Sequence, residues 1–188
     1  MHTRNTQLSV DELKGKQSVR VTFRLPAQVI ELLSLIAAQL EIKQKSLFDQ
    51  LVEDPTILRQ VAQEAHQALP RQEGRRQKTF VISRCSLTSI EEIASQEQIH
   101  RDALVEFSIR RLLPVIDAEL QKHEHRKIIL REMQAYLEHG KQLLHQTGKM
   151  LGTNDQLYGV LEKQVAGNAR HLDLLRHSIE KGKPMEDW

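Results

Sequence analysis

Residues 19–25 read Val-Arg-Val-Thr-Phe-Arg-Leu, and this strict alternation of apolar and polar positions predicts a strand with one buried face. Pro26 closes the strand and suits the first turn of a helix; Ile30, Leu33, Ile36, Ala37 and Leu40 then follow at helical spacing. A break over residues 41–44 leads to a second helix through Leu47, Phe48, Leu51 and Val52. Asp54-Pro55 has the chemistry of an N-cap and first helical position, predicting a third helix that ends near Leu69 and Pro70. Residues 71–78, RQEGRRQK, read as a basic linker. The pattern then returns: a short strand over 78–82, and a helix with Leu87, Ile90, Ile93 and Ala94 on one face. A break over 98–101 follows, and then a helix through Leu104, Val105, Phe107 and Ile109 that Pro114 interrupts or kinks.

The two stretches are an internal repeat. Adding 57 carries Thr22 to Thr79, Phe23 to Phe80, Leu25 to Ile82, Leu33 to Ile90, Ile36-Ala37 to Ile93-Ala94 and Leu47 to Leu104. No gap is needed, and strand, both helices and the turn between them are kept in register. The last third differs. Leu130, Met133, Leu137, Gly140 and Leu144 step by three and four, residues 148–155 read as a connection, and Leu157, Leu161, Gln164, Asn168, Leu172, Leu175 and Ile179 step the same way. Two heptad-like seams joined by a short connection predict a helical hairpin. The domain plan is therefore a flexible arm over 1–17, a first strand–helix–helix unit over 18–54, a helix and basic linker over 55–76, a second unit over 77–114, and the hairpin over 115–188.

Composition narrows the class. Basic and acidic residues number 27 and 25, a net of +2, so only the distribution of charge can mark a nucleic-acid binder. Apolar residues are 39% of the chain, and the most apolar run, over 29–40, is too short and too interrupted to span a bilayer. The polar start predicts no signal peptide. One cysteine, Cys85, excludes an internal disulfide and a cysteine-based zinc site, and these features together point to the cytoplasm.

A single strand followed by two helices cannot close a core, because the strand needs a partner; a tandem copy supplies one. VRVTFRLPAQVIELLSLIAAQLEIKQKSLFDQLVE and its copy KTFVISRCSLTSIEEIASQEQIHRDALVEFSIRRLL resemble the ribbon-helix-helix family of DNA-binding proteins. The resemblance implies a mainly α fold: a tandem pseudo-dimer of two short antiparallel strands and four or more helices, with the helical hairpin added. It implies that the strands pair into a ribbon whose outer face enters the major groove of double-stranded DNA. With Val21, Phe23 and Leu25 turned inward, Arg20, Thr22 and Arg24 face out; with Phe80 and Ile82 inward, Gln77, Thr79 and Val81 face out. These six are the expected base contacts, unequal in the two repeats, so the DNA site need not be palindromic. The family's phosphate contacts come from the start of the second helix, which here means Lys43, Gln44, Lys45 and Ser46 and then His100 and Arg101. The chain departs from the family where a small residue is expected in the helix–helix turn (Glu41, Gln98) and where a Ser or Thr cap is expected (Lys43, His100). Asp102 is expected to repel phosphate.

His123-Glu124-His125 is not read as a metal site, because residues two apart on a helix diverge; the helical histidines are expected to be exposed, and Cys85 packed or half-exposed. No phosphate-binding glycine loop, HExxH motif or nucleophile elbow occurs, so neither an enzyme nor a cofactor is expected. The expected function is sequence-specific DNA binding, as a transcriptional regulator or a plasmid or mobile-element accessory protein, by a homodimer joined through residues 115–182. The alternative is an adaptor that uses the hairpin to bind a protein partner, with the ribbon-helix-helix unit as scaffold.

Overall fold

The computed structural model describes residues 17–67 and 74–188. Residues 1–16 of the arm expected over 1–17, residues 71–73 of the linker and the expected helix end at Leu69 and Pro70 lie outside the described residues. The chain is mainly α with one two-stranded antiparallel sheet. In order come β1 (Ser18–Pro26), α1 (Ala27–Gln39), α2 (Gln44–Val52), α3 (Pro55–Gln67), β2 (Arg75–Ser83), α4 (Arg84–Gln96), α5 (Arg101–Arg110), α6 (Leu113–Leu151) and α7 (Gln156–Gly182). A turn of 3-10 helix, Lys183–Met185, follows. Contacts divide the chain into two compact units, one ending at Val115 and the other running Ile116–Trp188.

In the first unit the register of the two strands carries the symmetry of the repeat. Thr22 pairs with Thr79, Val21 with Phe80 and Phe23 with Lys78. Thr22 and Thr79 are equivalent residues of the two repeats, so a pseudo-twofold axis passes between them. The second helix of each repeat packs on the strand of the other, α2 on β2 and α5 on β1, so neither repeat has a core of its own. Phe23, Phe48 and Phe80 meet at its centre with ring centroids 5.3–6.2 Å apart. Around them Leu25, Leu33, Ile36, Ile82, Ile90 and Leu104 are fully buried.

The repeat extends to the backbone. Glu41 and Gln98, equivalent residues, both lie in the left-handed region, at φ 55° and 52°. Each ends a first helix in the same way: Ile42 N–H donates to Ala37 O and Glu41 N–H to Ala38 O, as Ile99 N–H donates to Ala94 O and Gln98 N–H to Ser95 O. This is the Schellman arrangement, which usually employs glycine at that position. Asp54 caps α3 as expected, its Oδ1 accepting from Thr56 N–H at 2.8 Å.

Several boundaries differ from expectation. β2 starts at Arg75 rather than Lys78, so Arg75, Arg76 and Gln77 belong to the ribbon and not to a linker. Their side chains carry no apolar alternation because Arg76 and Gln77 face solvent and Arg75 turns to the buried Glu106; pairing with β1 supplies the hydrogen bonds that make this end a strand. Pro114 sits in the first turn of α6, where its missing N–H costs nothing, and the chain breaks before it. α6 continues to Leu151, so the connection is shorter than the one expected over 148–155. It is made by Gly152, at φ 84°, and closed by Asp155, whose carboxylate accepts from Leu157 N–H at 2.8 Å.

In the second unit α6 and α7 form the hairpin. Leu130, Met133, Leu137, Gly140 and Leu144 line its seam on α6 as expected. On α7 Leu161, Asn168, Leu172, Leu175 and Ile179 line the seam as expected, but Tyr158 and Val165 take the places expected of Leu157 and Gln164, which are exposed. At these two positions either neighbour fits helical periodicity. Gly140 and Gly148 select the inward one, because they leave room for Val165 and for the Tyr158 ring, which approach to 3.3 and 3.1 Å of where a Cβ would stand. His123 is fully buried rather than exposed, because it falls on the same seam and lies against Gly182, which has no side chain to exclude it.

Candidate nucleic-acid interface

Alternation leaves one face of the ribbon to solvent. Arg20, Thr22 and Arg24 of β1 and Gln77, Thr79 and Val81 of β2 are all exposed, while Val21, Phe23, Leu25, Phe80 and Ile82 are buried beneath them. The register brings the six exposed residues together as three cross-strand pairs: Arg20 with Val81, Thr22 with Thr79, and Arg24 with Gln77. The central threonine hydroxyls share a hydrogen bond of 2.8 Å. The face is thus polar at its middle, with one arginine near each end, both on β1.

The charge of the ribbon is one-sided. Neither strand contains an acidic residue, and together they carry Arg20, Arg24, Arg75, Arg76 and Lys78. Arg75 is neutralised: its guanidinium donates to Glu106 Oε2 at 2.7 Å and to Arg24 O at 3.0 Å. No hydrogen bond or ion pair among the described residues engages the side chains of Arg20, Arg24, Arg76 or Lys78. A near-neutral chain therefore concentrates unpaired positive charge on one two-stranded element.

The helices hold the ribbon through carboxylates that the sequence reading did not single out. Asp49 and Glu106 are equivalent residues of α2 and α5. Asp49 Oδ1 accepts from Ser83 N–H and from Ser86 Oγ, at 2.8 and 2.7 Å, and so anchors the end of β2. Glu106, only 3% exposed, anchors its beginning through Arg75 and also binds Arg110 at 2.8 Å. Burial works to raise the Asp49 carboxyl, but hydrogen bonds from Lys45, Ser83 and Ser86 outweigh it and hold the group below its ordinary value of 3.8. The signal was present in the sequence: the two acids are separated by the repeat offset. Asp102 turns to the ribbon as well, its carboxylate accepting from Arg24 N–H at 3.1 Å.

The starts of α2 and α5 differ. Lys43 precedes α2 and gives it no side-chain cap, so its first N–H groups are left to solvent. Lys43 and Ser46 are exposed, Gln44 donates to Ser34 Oγ at 2.8 Å, and the Lys45 ammonium lies 2.7 Å from Asp49. At α5, His100 Nδ1 caps its own helix at Asp102 N–H, and the Arg101 guanidinium stacks 5.1 Å above the Phe23 ring and donates to Thr22 O. Lys43 and Ser46 thus remain open to solvent, whereas Lys45 and Arg101 are engaged inside the unit.

A second cluster lies in the hairpin unit. His123 Nε2 meets Glu186 Oε1 at 2.6 Å, and the Lys127 ammonium bridges Glu186 and Glu124 at 2.6 and 2.8 Å. Lys127 first, and His123 second, hold the Glu186 carboxyl below its ordinary value. The donor atoms of His123, Glu124 and Glu186 lie within 4.8 Å of one another, but the lysine ammonium already occupies the position between the carboxylates. The cluster reads as an ion-pair network that ties the last turn to α6. Cys85 is exposed in the first turn of α4.

No helix among the described residues is long and apolar enough to cross a membrane. Compared with known proteins, the chain matches no family profile, no curated protein and no solved structure.

Proposed function

We propose that the chain is a sequence-specific double-stranded DNA-binding protein of ribbon-helix-helix type, in which both halves of the binding unit come from one polypeptide. The observation that carries this reading is the ribbon face: six exposed side chains in three pairs about a pseudo-twofold axis, on an element with no acid and with four cations that no described residue pairs. A two-stranded ribbon fits the major groove, where arginine pairs bidentately with guanine and glutamine with adenine, and threonine or valine packs a thymine methyl. Arg20 and Arg24 then read bases from β1, and Gln77, Thr79 and Val81 from β2. The uncapped start of α2, with Lys43 and Ser46, holds a backbone phosphate. The capped start of α5 contributes less, so the two halves of the DNA site are contacted unequally. Regulation of transcription and service to a mobile element both fit such a reader.

Arg20→Ala with Arg24→Ala tests it. Each bidentate contact is worth about 1–3 kcal/mol, so the double variant is expected to lose at least about 30-fold in affinity for its selected site. Unchanged affinity contradicts the reading.

A further inference from the structure

Two faces of the hairpin, one residue to either side of the seam, differ sharply in character. One residue before Leu130, Leu137, Leu144 and Leu151 on α6 stand Ile129, Tyr136, Leu143 and Met150, spaced by seven and 42–81% exposed, with Glu132 and His139 between them. The corresponding positions on α7 include Leu157, Val160 and Leu174, exposed by 51–69%. In an antiparallel helix pair these positions fall on the same side, and Gln164 Nε2 reaching Tyr136 Oη at 3.4 Å shows that they do. Beside that contact Gly167 leaves open space. The opposite side, one residue past the seam, carries Arg131, Glu138 and Lys141 on α6 and Glu162, Asp173 and Arg176 on α7, and no large apolar residue. The hairpin is therefore amphipathic across its thickness.

We infer that the apolar side is the contact surface for a second copy of this chain, the two hairpins packing face to face as a four-helix bundle. Three observations select a copy over another occupant. The heptad spacing fits a helical partner that offers a matching stripe, and an evenly spaced stripe reads the same in either direction, as a twofold contact requires. The face carries few charged residues, Glu132 within the stripe and Lys122 beside Ile129 at its end, so two copies meet with little repulsion. The area also suffices. From Ile129 to Met150 is about 32 Å at the helical rise, and two helices span about 20 Å, giving about 1,300 Å² over both copies, within the range of specific interfaces. The inference does not depend on DNA binding, and its test uses none.

The full chain is examined by sedimentation equilibrium without DNA. The expected result is a reversible dimer, with Tyr136→Glu plus Leu143→Glu weakening association at least 100-fold. Val160→Lys plus Leu174→Lys does the same from the other helix, at side chains outside the seam, and Glu138→Arg on the opposite face changes nothing. Circular dichroism checks that helix content is kept; if one pair lowers it, the other pair decides. A wild-type chain that stays monomeric at about 100 µM, far above the Kd of about 1 µM typical of small specific interfaces, overturns the inference. So does a dimer that survives whichever pair keeps its helix content.

Discussion

Single residues in this chain are explained by what their equivalents do 57 positions away. Glu41 and Gln98 both hold a left-handed conformation that costs a non-glycine residue about 1–2 kcal/mol, part of which glycine returns to the flexibility of the unfolded chain. Gln98 is exposed, so Gln98→Gly is expected to raise the melting temperature by about 2–4 °C, for a net gain near 1 kcal/mol. An unchanged or lower melting temperature would show that the turn is not strained. Asp49 gives a pH dependence. Its folded carboxyl titrates below its ordinary value of 3.8, so its stabilisation is complete above that pH and lost as pH falls through the lower, folded value. Acid titration of Asp49→Asn is therefore expected to show a shallower loss of stability below about pH 3.8 than the parent. Glu106→Ala leaves Arg75 and Arg110 beside an emptied buried site and is expected to cost about 2–4 kcal/mol in urea unfolding. These carboxylates escaped the sequence reading because an acid in an amphipathic helix looks like a solvated one. Only the equivalence of Asp49 and Glu106 across the repeat distinguished them.

At the scale of elements, alternation and helical spacing carried most of the fold. β1, the helices of both repeats and the α6 seam follow directly from apolar positions. What was not legible depended on partners. The Arg75–Gln77 end of β2 is a strand because β1 lies beside it, not because of its own pattern. Two positions of the α7 seam, Leu157 and Gln164, give way to Tyr158 and Val165 because the choice there is made by glycines on α6, on the other helix. His123 is buried for a related reason: a Cβ on Gly182 would collide with its ring. Gly182→Ala is thus expected to destabilise the end of the hairpin by about 1–3 kcal/mol, despite alanine's better helix propensity. Hydrogen exchange in α6 around His123 measures it, and unchanged protection there would contradict the packing described.

At the scale of the whole molecule, the repeat supplies both strands of the sheet from one chain, and it frees the two halves to differ. The exposed strand faces, Arg-Thr-Arg and Gln-Thr-Val, and the unlike starts of α2 and α5 are asymmetries that a symmetric dimer could not have. The six ribbon positions could be picked out from parity in the sequence, and the structure brings them onto one face; which side chains at the starts of α2 and α5 are already engaged could not be read without it. The central claim is that this face reads DNA. Selection of bound sequences from random duplexes, with affinity for the selected site measured at two salt concentrations, tests it most directly. The expected result is a selected motif whose two halves differ, and an affinity that falls steeply with salt as several phosphate contacts require. No enriched motif, with binding confined to low salt, would contradict it.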